Sequence, residues 1–262
     1  MKDKRGFHRI LGYLGESRKY FYFVALVFLI GGILGFIFKD SLGFLDSLLN
    51  EIVGQISDLS LTGTILFIFK NNLSSALFAM LLGIFLGVMP LFNAIFNGVV
   101  VGYVLARASA LDGWGVLFKL LPHGIFELPA IFIALGMGLR LGGGFLENYF
   151  SYHQKNSYKR FFGILALIIG FLGIIFALAG VSGILTTGSG ILISTSLANF
   201  AVGAILLIPI VVLFFGDKKL RKLQGGSFIE RFNQAVRVFV FVVLPLLAIA
   251  AIIEGALMFL YR

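Results

Sequence analysis

Apolar residues in this chain come in long blocks separated by short charged segments. A helix that crosses a bilayer needs about 20 mostly apolar residues. The blocks are Phe21–Phe38, Asn71–Ala106, Val116–Leu139, Phe161–Gly216 and Val238–Tyr261. Asn71–Ala106 is 36 residues without a formal charge, interrupted at Pro90, so it predicts two helices, either a spanning hairpin or a re-entrant one. Phe161–Gly216 is 56 uncharged residues and predicts two crossings, with the Ser-, Thr- and Gly-rich stretch 183–196 as the turn. The pattern predicts an all-α integral membrane protein, one transmembrane domain over 1–262. Its bundle has about seven transmembrane helices, or five plus a re-entrant hairpin.

Two segments alternate differently. Leu45, Leu48, Leu49, Ile52, Val53, Ile56 and Leu59 recur at helical spacing, with Asp46, Glu51 and Asp58 off that face. This predicts an amphipathic helix over 42–60 lying on the outer surface. Phe7, Ile10, Leu11 and Leu14 make a shorter, basic version within 1–20. Both read first as connectors covering the bundle, and second as partner-recognition elements.

Composition removes whole classes of function. The chain is 59% hydrophobic and only 13% charged, so lipid must cover much of its surface. It has no cysteine, which excludes disulfides, thiolate metal sites and a cysteine nucleophile. The net charge of +9 does not point to nucleic acid, because the basic residues flank apolar blocks. Segments 1–20, 140–160 and 217–237 hold 16 of the 21 Lys and Arg, and they fall on one side if the N-terminus is cytoplasmic. The other five, Lys39, Lys70, Arg107, Lys119 and Arg262, fall at or beyond the opposite boundary. A cell-membrane protein with its N-terminus inside and its C-terminus outside is expected. Phe21–Phe38 is too long for a signal-peptide core and reads as a retained anchor.

The chemistry lies in the polar residues inside these blocks, since a charge at mid-bilayer costs about 3 kcal/mol on insertion scales. Glu127 and Glu254 are buried acids, and His123 sits one helical turn before Glu127. Pro122, Gly124 and Pro129 surround that pair and predict a helix starting at Pro122 and broken near Pro129. With Asn71 and Asn72 starting their helix at the outer side, and Asn97 in the outer half, these residues predict one polar cluster: Asn71, Asn72, Asn97, His123, Glu127 and Glu254. Such a cluster serves as a structural polar core, a proton or cation site, a metal site on His123, Glu127 and Glu254, or an intramembrane hydrolase centre. There is no HExxH motif, no Gly-x-Ser-x-Gly and no Walker loop, and no cofactor is expected. Gly31/Gly35, Gly83/Gly87, Gly98/Gly102 and Gly138/Gly142 have the spacing that lets membrane helices approach closely. They predict packing within one subunit, and one of them is a candidate homodimer face.

The runs N-N-L-S-S-A-L (71–77), F-N-G-V-V-V-G (96–102), L-P-H-G-I-F-E-L-P-A-I-F-I-A (121–134) and P-L-L-A-I-A-A-I-I-E-G (245–255) occur in this order. Together they resemble the stage II sporulation protein M family of polytopic membrane proteins, over roughly 15–140 and 225–260. The resemblance places the family pattern on Asn71, Asn72, Asn97, Gly98, Gly102, Pro122, His123, Gly124, Glu127, Leu128, Pro129, Glu254 and Gly255, and implies no catalytic role for them. The founding member acts in engulfment during spore formation, beside the peptidoglycan hydrolases called stage II proteins D and P. Against the family's five spans, 155–218 looks like an added two-helix hairpin, so the sporulation role does not transfer. The expected function is a non-enzymatic scaffold, a homodimer in membrane lipid that recruits envelope proteins. The alternatives are a proton- or cation-coupled transporter or channel using Glu127, Glu254 and His123, and a metal-dependent membrane enzyme.

Overall fold

A computed structural model describes residues 2–83, 87–113, 116–166 and 218–260, with 168, 169 and 202; within these, the side chains of 2–7, 52, 57, 111, 112, 116–123, 145 and 218–227 are not described. Every regular element among them is helical: α1 (Lys2–Ile37), a 3-10 turn (Lys39–Leu42), α2 (Phe44–Ser57), α3 (Leu61–Leu82), α4 (Val88–Asp112), α5 (Val116–Tyr152), α6 (Lys218–Val238), a π-helical stretch (Phe239–Val243) and α7 (Leu244–Leu260). Five described segments are long and apolar enough to cross a membrane: His8–Ile37, Leu61–Leu82, Val88–Ala110, Gly124–Tyr152 and Phe228–Leu260. The two further crossings expected in 161–216 lie almost wholly outside the described residues.

The chain divides into two compact units, 1–143 with 230–262, and 144–229. In the second, the end of α5 turns back at His153–Asn156 into helical residues 157–166. Tyr149, 1% exposed, donates its hydroxyl to the Lys159 carbonyl at 2.9 Å and packs edge-on against His153. Gly163 lies against the Tyr149 ring, where a Cβ would have no room.

The first unit holds the candidate site. Its centre is Val24, Ala79, Ala94 and Leu135, one residue each from α1, α3, α4 and α5, with Val27, Ile131, Phe132 and Leu139 around them. α1 and α4 are in backbone contact. A Cβ added at Gly31, Gly35, Gly98 or Gly102 would strike the carbonyls of Ile95, Val99, Phe28 or Gly32 respectively. The pairs 31–95 and 35–99 rise together, so these helices run parallel. α5 runs antiparallel to α1, since Gly136 meets Phe21 while Arg140 reaches Ser17. Gly83 and Gly138 press α3 against α5. Gly31, Gly35, Gly83, Gly98, Gly102 and Gly138 therefore pack inside one chain, as their spacing predicts, with backbone of the same subunit in the space a Cβ would take.

Other boundaries also differ from the sequence reading. The basic segment 1–20 is not separate; it continues into the first span as one 36-residue helix. α3 begins at Leu61, where the Ser60 hydroxyl accepts from the Gly63 N–H as an N-cap, so Asn71 and Asn72 lie mid-helix rather than at its start. The break of the hairpin falls between Leu82 and Val88, not at Pro90. Gly87 supplies a left-handed turn (φ 75°), and Pro90 sits in the first turn of α4, where its missing N–H costs nothing. Each half is long enough to cross. α5 runs unbroken for 37 residues through Pro122, Gly124 and Pro129, and on past Leu139 into the segment expected as a loop. The expected irregular backbone is absent there because one lost bond at Ile125 is carried by an otherwise continuous helix. Among the described prolines, the one that does alter its helix is Pro245. The preceding Leu244 N–H bonds five residues back to Phe239, a wider turn that accommodates the ring.

Candidate functional site

α2 is held by a charged latch. Tyr103 on α4, fully buried, donates to Asp46 Oδ1 at 2.5 Å, and Arg107 Nη2 meets Asp46 Oδ2 at 3.0 Å. Arg107 Nε also donates to the Tyr103 oxygen at 3.2 Å. The Tyr103 hydroxyl first, and the Arg107 guanidinium after it, hold the Asp46 carboxyl below the usual carboxylate range. Leu45 and Ile56 of α2 are buried while Leu48 and Val53 are exposed, so only part of its apolar face is covered.

At the other end of α1 and α5, Arg140 is largely buried. Its guanidinium donates to Glu16 Oε2 at 2.8 Å and to the buried Ser17 hydroxyl at 2.9 Å. Arg231 donates to the Arg140 carbonyl at 3.2 Å and so ties α6 to the same place. Nearby on α6, Gln234 is 8% exposed; its amide nitrogen approaches Glu230 at 3.5 Å while its carbonyl oxygen has no partner among the described residues.

Between these ends, three of the six predicted residues, Asn97, Glu127 and Glu254, fall into two groups. The first is an asparagine ladder. Asn97 Nδ2 donates to the backbone and side-chain oxygens of Asn93, both at 2.9 Å, and Asn93 Nδ2 donates to Ser75 Oγ on α3 at 3.2 Å. Asn71 lies one turn from Ser75 and Asn97 one turn from Asn93, so Asn71 and Asn97 share a level on antiparallel helices. Asn93 and Ser75 were missed by the sequence reading, although four-residue spacing from Asn97 and Asn71 in uncharged helices was the signal for both.

The second group is an acid pair. Glu127 on α5 and Glu254 on α7 are both half-buried and close enough for the charge of one to act on the other. Neither has a hydrogen-bond partner among the described residues. Gly255, next to Glu254, packs against Ile65, which is six residues from Asn71 along α3, roughly 9 Å at the helical rise. Glu254 therefore lies at a different level of α3 from the ladder, and no described contact joins the acid pair to it. Asn72 is half-buried with no described partner. The backbones of Pro122 and His123 are helical, but their side chains lie outside the described residues, and with them the metal set His123, Glu127, Glu254. Among the described residues, no three His, Asp or Glu come together.

With this geometry in hand, comparison with known proteins decides the family. The model of stage II sporulation protein M matches residues 24–187, well over half of the chain. The chain belongs to the stage II sporulation protein M family. The matched residues include the ladder, His123 and Glu127, continue past residue 155, where the added hairpin was expected to begin, and stop short of Glu254. The chain is also 30% identical over 143 residues to "Uncharacterized protein MJ0706" of Methanocaldococcus jannaschii, covering 50% of this chain and 63% of that protein's length. No solved structure matches it.

Proposed function

We propose that this stage II sporulation protein M family member is a non-enzymatic scaffold of the cell membrane that positions envelope proteins, with its N-terminus cytoplasmic and its C-terminus external. The supporting observation is how its polar side chains are used. Arg140 with Glu16 and Ser17, Asn97 with Asn93 and Ser75, and Asp46 with Tyr103 and Arg107 each tie two helices of the same subunit together. Hydrogen bonds between membrane helices hold register and orientation, which suits a frame more than a reaction centre. Purified protein in liposomes is expected to move no proton or cation. Robust flux that is abolished by Glu127→Gln overturns this reading.

One observation favours a second reading. Two half-buried carboxyls whose charges act on each other, without described hydrogen-bond partners, favour a proton or a cation nearby in a low-dielectric setting. Proton or cation handling by Glu127 and Glu254 is that alternative, and the same flux measurement with Glu127→Gln and Glu254→Gln separates it from the scaffold.

A further inference from the structure

The outward face of α3 is polar where lipid alone would call for an apolar one. Lys70, Asn71 and Ser75 are exposed, with Leu66 and Phe78 flanking them on the same side. Lys70 is the tenth residue of a 22-residue helix in which Leu61 to Phe69 carries no charge. That puts it roughly 13 Å from the helix start at the usual rise. The helix contacts give the same depth. Ser75 is level with Asn93, so Lys70 is level with Gly98, nine residues or roughly 13 Å short of Arg107 and the α2 latch. Sequence blocks had placed Lys70 at the boundary; the Ser60 cap and the packing of Ile65 on Gly255 put it in the middle of a span. Lysines near helix ends reach the interface by extending their stems, but a mid-span cation needs a counter-charge. Among the described residues, Lys70 has no ion pair and Asn71 no hydrogen bond. Ser75 accepts from Asn93 and keeps its own hydroxyl hydrogen to donate. The chain's mid-span carboxyls, Glu127 and Glu254, act on each other instead.

We propose that this face of α3 docks a transmembrane helix of another membrane protein that carries a carboxylate at mid-depth. The cation supplies the charge partner, and Asn71 and Ser75, both further along α3 on the other edge of the same face, supply donors. A second copy fits poorly, because a two-fold axis at this face sets Lys70 against Lys70. The proposal rests on the scaffold reading and names the chemistry of the partner.

The test uses the full chain, dye-labelled, in phosphatidylcholine liposomes with an acceptor-labelled poly-leucine transmembrane peptide bearing one central Glu. Energy transfer is expected for the Glu peptide and not for the all-Leu peptide. Lys70→Met is expected to weaken association about tenfold, the factor that roughly 1.4 kcal/mol produces, and Lys70→Arg to restore it. Equal transfer to the Glu and all-Leu peptides, or an unchanged signal in Lys70→Met, overturns the proposal. So does loss of the Glu-peptide signal when phosphatidylglycerol is added, which makes a lipid headgroup the occupant. Ser75→Cys in this otherwise cysteine-free chain reports the remaining case: self-cross-linking of Cys-substituted copies makes a second copy the occupant and also overturns it. Ion flux in the same liposomes sinks the scaffold reading while leaving peptide docking intact, so the two failures are distinguishable.

Discussion

Two faces of one helix, α4, solve the same problem in opposite ways. Towards α1 it presents Gly98 and Gly102, and the two backbones touch. Towards α3 it presents Asn93 and Asn97, and the contact is a chain of side-chain hydrogen bonds. In lipid, no hydrophobic effect draws apolar helices together, so close packing and hydrogen bonding are what remain. The glycine face gives many small dispersion contacts that depend on shape over two turns. The asparagine face gives a few directional bonds that depend on single atoms. Shape should therefore dominate stability, and the hydrogen bonds should dominate register.

The largest break in this comparison comes from Gly98→Leu. Its side chain would meet the Phe28 carbonyl and the Gly32 nitrogen, which are backbone and cannot step aside. Destabilisation at or above the ~1–3 kcal/mol typical of overpacking is expected, read as a lower unfolding temperature in detergent. A variant as stable as wild type would mean that the α1–α4 contact is not the main packing seam. Asn93→Leu should be much milder. Intramembrane hydrogen bonds average about 0.6 kcal/mol and reach about 1.7, so a loss within that range is expected, and one larger than that for Gly98→Leu would reverse the ranking of the two faces.

The α2 latch gives the smallest effect. Asp46 and Arg107 are both about half exposed, so solvent screens the ion pair and its contribution is small. The folded state depresses the Asp46 carboxyl. Its contribution is thus full above the ordinary carboxylate value and lost as pH falls through the depressed one. α2 is expected to detach below about pH 4, seen as increased mobility of a spin label at exposed Val53. Asp46→Asn should show that mobility at neutral pH and lose the acid response; a variant that keeps the response assigns it to another group.

The acid pair and the outward face of α3 show how far the sequence could be read. Glu127 and Glu254 stood out because ionisable residues are rare in such blocks. Asn93 and Ser75 carried no such signal alone and became visible only through the turn-by-turn partners they meet. Lys70 was misplaced because a charge looks like the end of a span when blocks are cut at charges, whereas the Ser60 cap ten residues earlier marks the true start.

By itself the sequence determined that the chain is helical and membrane-embedded, where most of its spans lie, and that 42–60 holds an amphipathic helix. Those properties add up along the chain, since hydropathy and helical period are sums over neighbours. The tertiary structure decided which glycines meet which backbones, that α5 passes straight through its prolines, and that Lys70 lies mid-span facing outward. Those are pairings between residues distant in sequence, fixed by the space other helices leave, and no local pattern contains them.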